Sequence, residues 1–352
     1  LMEKIISESI ELLKDLISIE SFSFHEDKSA SRIEKWFYDH NIPCERIKNN
    51  VYSKNEFFDS KKPSILLNSH HDTVKPNKGY SKNPFSSIIE NGKLFGLGSN
   101  DAGGALVSLI GVFTYLYNKK NLKYNLILLA SAEEECSGDN GISSIIPVLP
   151  KINFGIIGEP TLMKMAVAEK GLVVFDLHVQ GTASHAAHPN NDNPILKSIT
   201  VLNWIKNLNF NRQSGFLGDT KATITQINSG NQHNVVPSEL NIVLDVRVND
   251  RYTNKEIYEI LKKDAPCRVK PRSLNLNSSS IDLEHPIVKG ADSIQIEKYG
   301  SPTLSDQSKI SFPSIKIGPG DSKRSHTADE FIYINEIKNA IPIYIKLLNT
   351  II

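Results

Sequence analysis

The stretch Ser64-Ile65-Leu66-Leu67-Asn68-Ser69-His70-His71-Asp72-Thr73-Val74 decides how the rest of this chain is interpreted. Its apolar half predicts a buried β-strand. Its second half places imidazole and carboxylate groups at the end of that strand, the edge at which open α/β sheets bind ligands. Because residues two apart on an extended chain point to the same side, His70 and Asp72 share a face. Such a pair suits a metal site, with Asp72 either a ligand or the group that orients His70. The alternative is a plain polar cluster, so the interpretation depends on which side chains stand at the ends of the other strands.

The composition limits the class of protein. At 352 residues the chain is long for one hydrophobic core, which favours two domains. Lys and Arg (40) balance Asp and Glu (39), so nothing in the charge favours nucleic acid or an anionic membrane as a partner. Three scattered cysteines favour a reducing compartment over a disulfide framework. No signal peptide is visible and no apolar run approaches the roughly 20 residues that span a bilayer, so we expect a soluble, cytoplasmic protein.

A glycine-rich segment, Gly96-Leu97-Gly98-Ser99-Asn100-Asp101-Ala102-Gly103-Gly104, adds one carboxylate ahead of a predicted helix. The glycines let the backbone turn sharply and approach a ligand closely. A P-loop is excluded because the segment lacks a Gly-Lys-Ser/Thr ending, and a dinucleotide site is disfavoured because no strand leads directly into the glycines. Taken alone, this segment favours a simple role for Asp101 as the N-cap of the helix.

Three more apolar runs, over 126–130, 154–158 and 314–318, lead into acidic residues or histidine. Adjacent carboxylates destabilise each other unless a positive charge compensates, and a metal ion is the natural compensation. Two histidines with three or more carboxylates suit one or two divalent ions, zinc first and cobalt or manganese as alternatives. The candidates at these strand ends and on the glycine-rich turn are His70, Asp72, Asp101, Glu133, Glu134, Glu135, Glu159 and His326.

The segment 172–281 has a different pattern and predicts an inserted domain. Apolar and polar residues alternate over 173–179, 222–227 and 240–248, a last strand is expected over 267–276, and Pro194 and Thr253 each open a helix. This β-α-β-β-α-β order predicts an antiparallel four-stranded sheet with two helices on one face. Residues 1–171 and 282–352 would form the two parts of the larger domain. In these parts we expect helices over 3–19, 28–40, 285–298 and 335–348, and a polar loop over 49–62.

Together these features resemble a known family, the dinuclear-zinc aminoacylase and carboxypeptidase family. It includes acetylornithine deacetylase, succinyl-diaminopimelate desuccinylase, aminoacylases and glutamate carboxypeptidases. The resemblance covers essentially the whole chain and implies an α/β fold. The expected architecture is a mixed-sheet zinc-peptidase catalytic domain with an inserted α+β, ferredoxin-like lid and dimerisation domain. The motifs that carry the resemblance are His70-His71-Asp72, Gly98-Ser99-Asn100-Asp101, Ala132-Glu133-Glu134-Glu135, Gly158-Glu159-Pro160-Thr161, Gly318-Pro319-Gly320-Asp321 with His326, Gly181-Thr182-Ala183-Ser184-His185-Ala186-Ala187-His188-Pro189, Asn234-Val235-Val236-Pro237 and Asp245-Val246-Arg247.

The resemblance implies two zinc ions with a shared ligand. Asp101 would bridge the two ions. His70 and Glu159 would complete one site, and Glu135 and His326 would complete the other.

The resemblance also implies the catalytic groups. Asp72 would sit behind its histidine and fix the tautomer, and Glu134 would be the general base that takes a proton from the metal-bridging water. The family order of acid, catalytic Glu and ligand Glu leaves Glu133 outside the site, with a shift by one residue as the alternative.

The inserted domain would supply the remaining groups. By resemblance, His185 would reach the active site of a second subunit in a homodimer and hydrogen-bond the tetrahedral oxyanion. Asn234 and Arg247 would hold the substrate, since a guanidinium binds a carboxylate with two parallel hydrogen bonds.

The function implied is that of a metal-dependent amidohydrolase that removes the acyl group from a small N-acyl amino acid. The favoured hypothesis is deacetylation of N-acetylornithine or N-acetylcitrulline in arginine biosynthesis. One departure supports it: Asp101-Ala102-Gly103-Gly104 replaces the frequent Asp-Met-Lys-Gly, as in a subgroup of such deacetylases. Alternatives within the family are succinyl-diaminopimelate desuccinylase, N-acetyl-lysine deacetylase, carbamoyl amidohydrolase and dipeptidase. Outside it stand a two-metal phosphatase and an inactive binding homologue.

Overall fold

The computed structural model describes residues 1–352 and divides into two compact units. Unit 1 comprises Leu1–Val167, Ser280–Tyr299 and Ser305–Ile352, and unit 2 comprises Ala168–Ser279 and Gly300–Leu304. Unit 2 therefore begins slightly before the insertion expected over 172–281 and also takes in a short later segment. No helix combines the length and the apolar character needed to cross a membrane.

The chain forms helices and strands in alternation. The helices are α1 (Met2–Ile17), α2 (Asp27–Asp39), α3 (Gly104–Leu116), α4 (Ile142–Ile145), α5 (Pro194–Lys206), α6 (Asn254–Asp264), α7 (Pro286–Ser293) and α8 (Ile334–Leu348). The strands are β1 (Glu45–Ile47), β2 (Asn50–Lys54), β3 (Ser64–His70), β4 (Ile88–Glu90), β5 (Lys93–Phe95), β6 (Asn125–Ser131), β7 (Phe154–Ile157), β8 (Met165–Glu169), β9 (Gly171–Gln180), β10 (Ser184–His185), β11 (Lys221–Ser229), β12 (Val235–Val236), β13 (Glu239–Val248), β14 (Arg268–Pro271), β15 (Ser279–Ser280), β16 (Lys298–Ser301), β17 (Ser314–Lys316) and β18 (Phe331–Tyr333).

A nine-stranded mixed sheet has the order β1-β2-β6-β3-β7-β17-β8-β15, with β16 also paired to β8. Its four central strands, β6, β3, β7 and β17, run parallel. Every residue of these four strands is buried, which explains why their sequences lack the alternation of a half-exposed strand. Because parallel strands end at the same edge, the residues just beyond them are brought to one place, as the sequence predicted.

Apolar helices cover this sheet. Helix α3 is buried along almost its whole length and packs against α1 and α8. A helix that is apolar on all sides needs neighbours on all sides, and these two helices supply them together with strands β3 and β6. Phe113 in its last turn is fully buried, so its replacement by Ala would destabilise the fold by about 3–5 kcal/mol. The start of α3 therefore has a fixed position behind the edge of the sheet.

Unit 2 has the predicted antiparallel four-stranded sheet, in the order β11-β13-β9-β14. Burial alternates along β9 and β13, so one face of each strand contributes to a core. Helices α5 and α6 pack on that face through Val201, Ile205, Ile257 and Leu261. The capping box between Thr253 and Glu256 forms as predicted and begins α6.

The prediction of a polar loop over 49–62 is wrong for the first part of this segment. Residues Asn50–Lys54 form β2, which pairs with β1 on one side and β6 on the other. The polar side chains are buried because each has a partner: Asn50 Oδ1 accepts the Ala132 N–H, and Ser53 Oγ donates to the carbonyl of Pro43. Two other elements are shorter than expected. Helix α7 ends at Ser293 and not at 298, and strand β14 ends at Pro271 and not at 276.

Candidate metal centre

His70 is the last residue of β3, and its Nε2 atom faces three carboxylates. The distances are 3.3 Å to Oδ1 of Asp101, 3.8 Å to Oε1 of Glu159 and 3.9 Å to Oε2 of Glu134. Its Nδ1 atom lies 3.0 Å from the carbonyl oxygen of Asp72. Burial disfavours the charged ring, but hydrogen bonds with Asp101 and Asp72 outweigh it and raise the pKa of His70 well above its usual value. His70 is therefore held from behind, with Nε2 directed at the carboxylates.

Asp72 is buried and accepts hydrogen bonds from the segment that follows β6. Its Oδ1 accepts the backbone N–H of Glu134, and its Oδ2 accepts both the N–H of Glu135 and the hydroxyl of Ser23. Burial opposes ionisation, but hydrogen bonds from His70 and Ser23 lower the pKa of Asp72. The carboxylate thus connects His70 to the two glutamates.

Asp101 lies between two histidines. Its Oδ1 is 3.3 Å from Nε2 of His70, and its Oδ2 is 3.6 Å from Nε2 of His326. It sits on the turn Ser99–Gly103 that leads into α3, and the N-cap of α3 is Gly103, without a side-chain cap. The N-cap role that the segment alone favoured is therefore wrong, because the turn carries Asp101 away from the helix terminus and toward the histidines.

His326 and Glu135 form the other side of the group. Nε2 of His326 lies 3.1 and 3.0 Å from the two carboxylate oxygens of Glu135. This contact is the main reason why the pKa of His326 is raised to about 9. His326 remains half-exposed, whereas Glu135 is largely buried.

The residues present fit two divalent cations. His70, Asp101 and Glu159 offer three ligand atoms that all lie within 4.8 Å of one another, and so do Asp101, Glu135 and His326. Imidazole nitrogen with carboxylate oxygen is a donor set that zinc, cobalt and manganese accept. Burial raises the pKa of Glu159 to about 8, and the nearby carboxylates of Asp101 and Glu135 contribute to the rise. Two positive ions would compensate this crowding of negative groups.

The three consecutive glutamates point in different directions. Glu133 turns away, where its carboxylate accepts the backbone and side-chain N–H groups of Asn140. Glu134 instead faces His70, and Glu135 contacts His326. Burial raises the pKa of Glu134 well above its usual value. This arrangement agrees with the register that leaves Glu133 outside the site.

His71 lies outside the group although it adjoins His70. Its Nδ1 hydrogen-bonds with the hydroxyl of Ser29, and its Nε2 with the carbonyl oxygen of Asn49, each at 2.8 Å. Burial lowers the pKa of His71 to about 4, so the ring is neutral and satisfied. His71 directly follows the last residue of β3, and consecutive side chains of an extended chain point to opposite sides, which accounts for this direction.

Three of the predicted site residues belong to unit 2. His185 is exposed and lies on β10. This strand pairs with β12, which begins at the residue after Asn234. The carbonyl of Asn234 accepts the Ala186 N–H at 2.9 Å. Arg247 lies on the face of β13 away from the helices and pairs with Asp245, Nε to Oδ1 at 2.9 Å. The substrate-binding and oxyanion roles of His185, Asn234 and Arg247 stay predictions.

Comparison with known proteins yields one consistent result. The model of peptidase family M20/M25/M40 matches residues 66–350. Succinyl-diaminopimelate desuccinylase from Wolbachia pipientis is 24% identical, with 95% of this chain and 91% of that protein covered. The desuccinylase from Pelagibacter ubique is 27% identical, with 81% and 82% covered. A dinuclear metal-binding M20 peptidase from Bacillus subtilis superposes with a TM-score of 0.75 at 16% identity, covering 98% of each chain.

The chain belongs to peptidase family M20/M25/M40. As a member of this family it is a metal-dependent hydrolase of amide bonds, so the resemblance inferred from the motifs is confirmed. These two relatives bear the name of the desuccinylase alternative and not that of acetylornithine deacetylase.

Among the buried carboxylates that were not predicted as candidates from sequence, Asp306 and Glu330 lie next to the segments that carry the site residues. Oδ2 of Asp306 accepts hydrogen bonds from the side-chain amide of Asn68, near the end of β3, and from the hydroxyl of Ser131, the last residue of β6. Glu330 accepts three backbone N–H groups of the turn that carries Asp101. Neither stands directly after an apolar run, which was the signal that pointed to the other candidates. The only sequence signal for Glu330 is its position four residues after His326.

Proposed function

We propose that this chain hydrolyses the amide bond of an N-acylated amino acid at a dinuclear metal centre. The observation that carries the proposal is the position of Asp101, which belongs to both groups of ligand atoms. Its two carboxylate oxygens face different histidines, His70 and His326. A carboxylate shared in this way suits a pair of ions, whereas a site for one ion needs only one of the two groups.

Five residues would hold the ions. His70, Asp101 and Glu159 would bind one, and Asp101, Glu135 and His326 would bind the other, with zinc favoured over cobalt and manganese. When bound, the ions would polarise the amide carbonyl and acidify water.

Glu134 would be the general base. Its carboxylate lies beside His70 but belongs to neither group of ligand atoms, so it is free to exchange a proton. Burial raises its pKa, which suits a group that must accept a proton and later release it. It would take the proton from the attacking water and deliver it to the leaving amine nitrogen. Asp72 would hold it in place through its backbone N–H.

An N-succinyl amino acid is the first candidate substrate. Similar relatives of this chain are named succinyl-diaminopimelate desuccinylases, and they favour that alternative over the acetylornithine hypothesis. Arg247 would bind a substrate carboxylate, because a guanidinium can form two parallel hydrogen bonds with it. It already pairs with Asp245, so the substrate would have to displace or join that carboxylate.

N-acetylornithine or N-acetylcitrulline is the second candidate substrate. The observation in its favour is the segment Asp101-Ala102-Gly103-Gly104, which lacks the lysine frequent in the family. The observed turn shows one further property: Gly103 has no room for a side chain, since an added Cβ would lie 2.4 Å from the Gly98 carbonyl oxygen. A lysine would therefore require a different turn here.

We further propose that unit 2 mediates a homodimer, with His185 of each subunit acting in the other active site. Helix α5 exposes Ile195, Leu196 and Ile199, and the edge strand β11 exposes Ile227. Exposed apolar groups and an unpaired strand edge favour association with a second copy. Sedimentation should find a dimer for the native chain and a monomer for Leu196→Lys with Ile199→Lys.

A substrate panel with zinc-loaded protein tests the proposal. It should include N-succinyl-diaminopimelate, N-acetylornithine, N-acetylcitrulline, N-acetyl-lysine, dipeptides and a phosphate monoester. Glu134→Gln should lower kcat by about 100- to 10,000-fold with unchanged metal content. Glu133→Gln is the matched control and should keep most of the activity. Full activity of Glu134→Gln, or hydrolysis of the phosphate ester alone, would refute the proposed mechanism.

A further inference from the structure

The carboxylate of Glu330 accepts three backbone hydrogen bonds from one turn. Oε2 accepts the N–H of Gly98 at 3.1 Å, and Oε1 accepts the N–H groups of Asn100 and Asp101, each at 2.9 Å. The side chain is buried. Successive N–H groups that converge in this way form a concave anion site, and here a side chain of the same chain occupies it.

A small sheet determines where this carboxylate lies. Glu330 directly precedes β18, which pairs with β5 in a three-stranded sheet with β4. The Glu330 carbonyl also accepts the Gly96 N–H at 2.9 Å. The backbone of Glu330 is thus fixed beside the glycine-rich segment. From this position its side chain reaches the N–H groups of the turn.

The conformation of the turn depends on glycine. Gly98 has φ +74°, in the left-handed region that side chains disfavour. A Cβ atom at this position would lie 2.5 Å from Cγ2 of Thr73. This conformation lets the N–H groups on both sides of Ser99 point to the same carboxylate.

Asn100 extends the connection to the loop that carries His326. Its Nδ2 donates to the carbonyl of Asp321 at 3.0 Å and to Oγ of Ser325 at 3.3 Å. Its Oδ1 accepts the Asp321 N–H at 3.0 Å. Asp101 and His326 are therefore held by one network, in which Glu330 fixes the backbone and Asn100 joins the two loops.

We propose that Glu330 is a positioning residue for both metal sites, because it fixes the backbone of the shared ligand Asp101. The inference rests on the proposed dinuclear centre. The property that matters is that the carboxylate presents acceptors to all three N–H groups. The isosteric amide in Glu330→Gln would turn an NH₂ group toward at least one of these backbone N–H groups.

Titration of metal-free protein with Co²⁺ tests this role without substrate. Native protein should bind two equivalents and develop the visible absorption of protein-bound cobalt. Partners of metal ligands typically change affinity by about 10- to 100-fold when they are replaced, and we expect a loss of that size at both sites in Glu330→Gln. Asn100→Ala should weaken binding less and mainly at the site containing His326.

Glu256→Gln is the matched control. Glu256 also accepts a backbone N–H, from Thr253, and pairs with an arginine, Arg212, but it lies in unit 2 and contacts neither the turn nor the loop that carries His326. This variant should bind two Co²⁺ with native affinity. If Glu330→Gln does not fold, Glu330→Asp keeps two carboxylate oxygens as acceptors but is one methylene shorter, and it should show a smaller loss of affinity with an intact far-UV spectrum.

The outcomes separate the two proposals. Native Co²⁺ affinity and spectrum in a folded Glu330→Gln, or in Glu330→Asp where Gln does not fold, would overturn the positioning role and leave the metal centre standing. Failure of the native chain to bind any Co²⁺ would overturn the dinuclear centre and the positioning role with it. Weakened binding in Glu330→Gln with native binding in Glu256→Gln supports the inference.

Discussion

Nε2 of His326 lies 3.0 Å from Oε2 of Glu135, although 191 positions separate these residues in the chain. Glu135 comes after β6, and His326 lies on the loop after β17. The two strands are not neighbours, since β3 and β7 lie between them. The contact therefore depends on the shared direction of all four strands and on the length of the loop after β17.

Replacing His326 by Ala should remove one metal site and leave the other. The variant loses a ligand atom from the group with Asp101 and Glu135, whereas His70 and Glu159 keep theirs. We expect one tightly bound equivalent of metal by elemental analysis in place of two, and a loss of kcat/KM of at least about 100-fold. His233→Ala, which alters an exposed histidine of unit 2, is the control and should retain two equivalents. Two tight equivalents in the His326→Ala protein would contradict the assignment.

Asp72→Asn should weaken metal binding more than Ser23→Ala. The amide would turn an NH₂ group toward the backbone N–H groups of Glu134 or Glu135, which the carboxylate now accepts. It would also lose the charge behind His70, and we expect about 10- to 100-fold lower metal affinity. Ser23→Ala removes one hydrogen bond to Asp72 and should cost about 1 kcal/mol of stability with little change in affinity. Competition titration with a chromophoric chelator measures both, and equal affinities would argue against the role of Asp72.

Asp306→Ala should destabilise the protein, whereas Asp306→Asn should be tolerated. A single oxygen of Asp306 accepts from both Asn68 and Ser131 in the buried edge of the sheet. Alanine leaves two buried donors without an acceptor, at roughly 1–3 kcal/mol each. Asparagine supplies one oxygen in the same place, so its loss should stay below about 1 kcal/mol. Urea unfolding of the metal-free proteins gives the comparison, and similar losses in both variants would show that the charge itself matters.

Gly98→Ala should lower the stability of the protein more than Gly92→Ala. Both glycines have positive φ, +74° and +76°, so each alanine carries a backbone strain of about 1–2 kcal/mol. A Cβ at Gly92 meets nothing within 4 Å, whereas at Gly98 it lies 2.5 Å from Cγ2 of Thr73. We expect an extra loss of about 1–3 kcal/mol for Gly98→Ala, together with weaker metal binding because the turn carries Asp101. Thermal unfolding and metal titration of the pair would show whether the clash or only the backbone conformation matters.

The stability of unit 2 should depend on the charge of Glu256 at low pH. A hydrogen bond from the Thr253 N–H, with contributions from Arg212 and the Thr253 hydroxyl, lowers the pKa of Glu256 to about 2 from 4.5. Since the folded state binds this proton less readily than the unfolded state, the stabilisation is complete above pH 4.5 and is lost as the pH falls toward 2. Native protein should therefore exceed Glu256→Gln in stability at about pH 6, and the difference should shrink by about pH 3.

Urea unfolding of the whole protein at several pH values measures the difference in stability between native protein and Glu256→Gln. Glu259→Gln, on the exposed side of the same helix, is the control and should leave the native stability unchanged at both pH values. A constant difference between native protein and Glu256→Gln across the range would contradict the linkage.

Much of this arrangement could be predicted from local sequence. The apolar runs located β3, β6, β7 and β17, and the alternating segments located the sheet of unit 2. These predictions succeeded because burial on one or two faces leaves a periodic pattern in the residues themselves. The pattern failed for β2, where buried asparagine and serine look like a loop until their hydrogen-bond partners are known.

Other features could not be predicted because they depend on distant segments. The different directions of Glu133 and Glu134 result from hydrogen bonds with Asn140 and Asp72, and adjacent glutamates have no pattern that distinguishes them. Asp306 and Glu330 are acidic residues with ordinary sequence surroundings. Their structural roles become visible only in the folded chain, where Asp306 is buried against Ser131 and Glu330 against the turn that carries Asp101.

The sequence by itself determined the four central strands of the large sheet, the strands of the inserted domain, and the kinds of side chain placed at the ends of the central strands, because these depend on local apolar periodicity and residue chemistry. Only the tertiary structure decided which of those side chains meet. The parallel order β6-β3-β7-β17 brings residues after four separate strands to one edge. Asp101 lies on a turn that local sequence assigned to a helix cap. In the folded chain it stands between two histidines, and its backbone N–H donates to the distant Glu330.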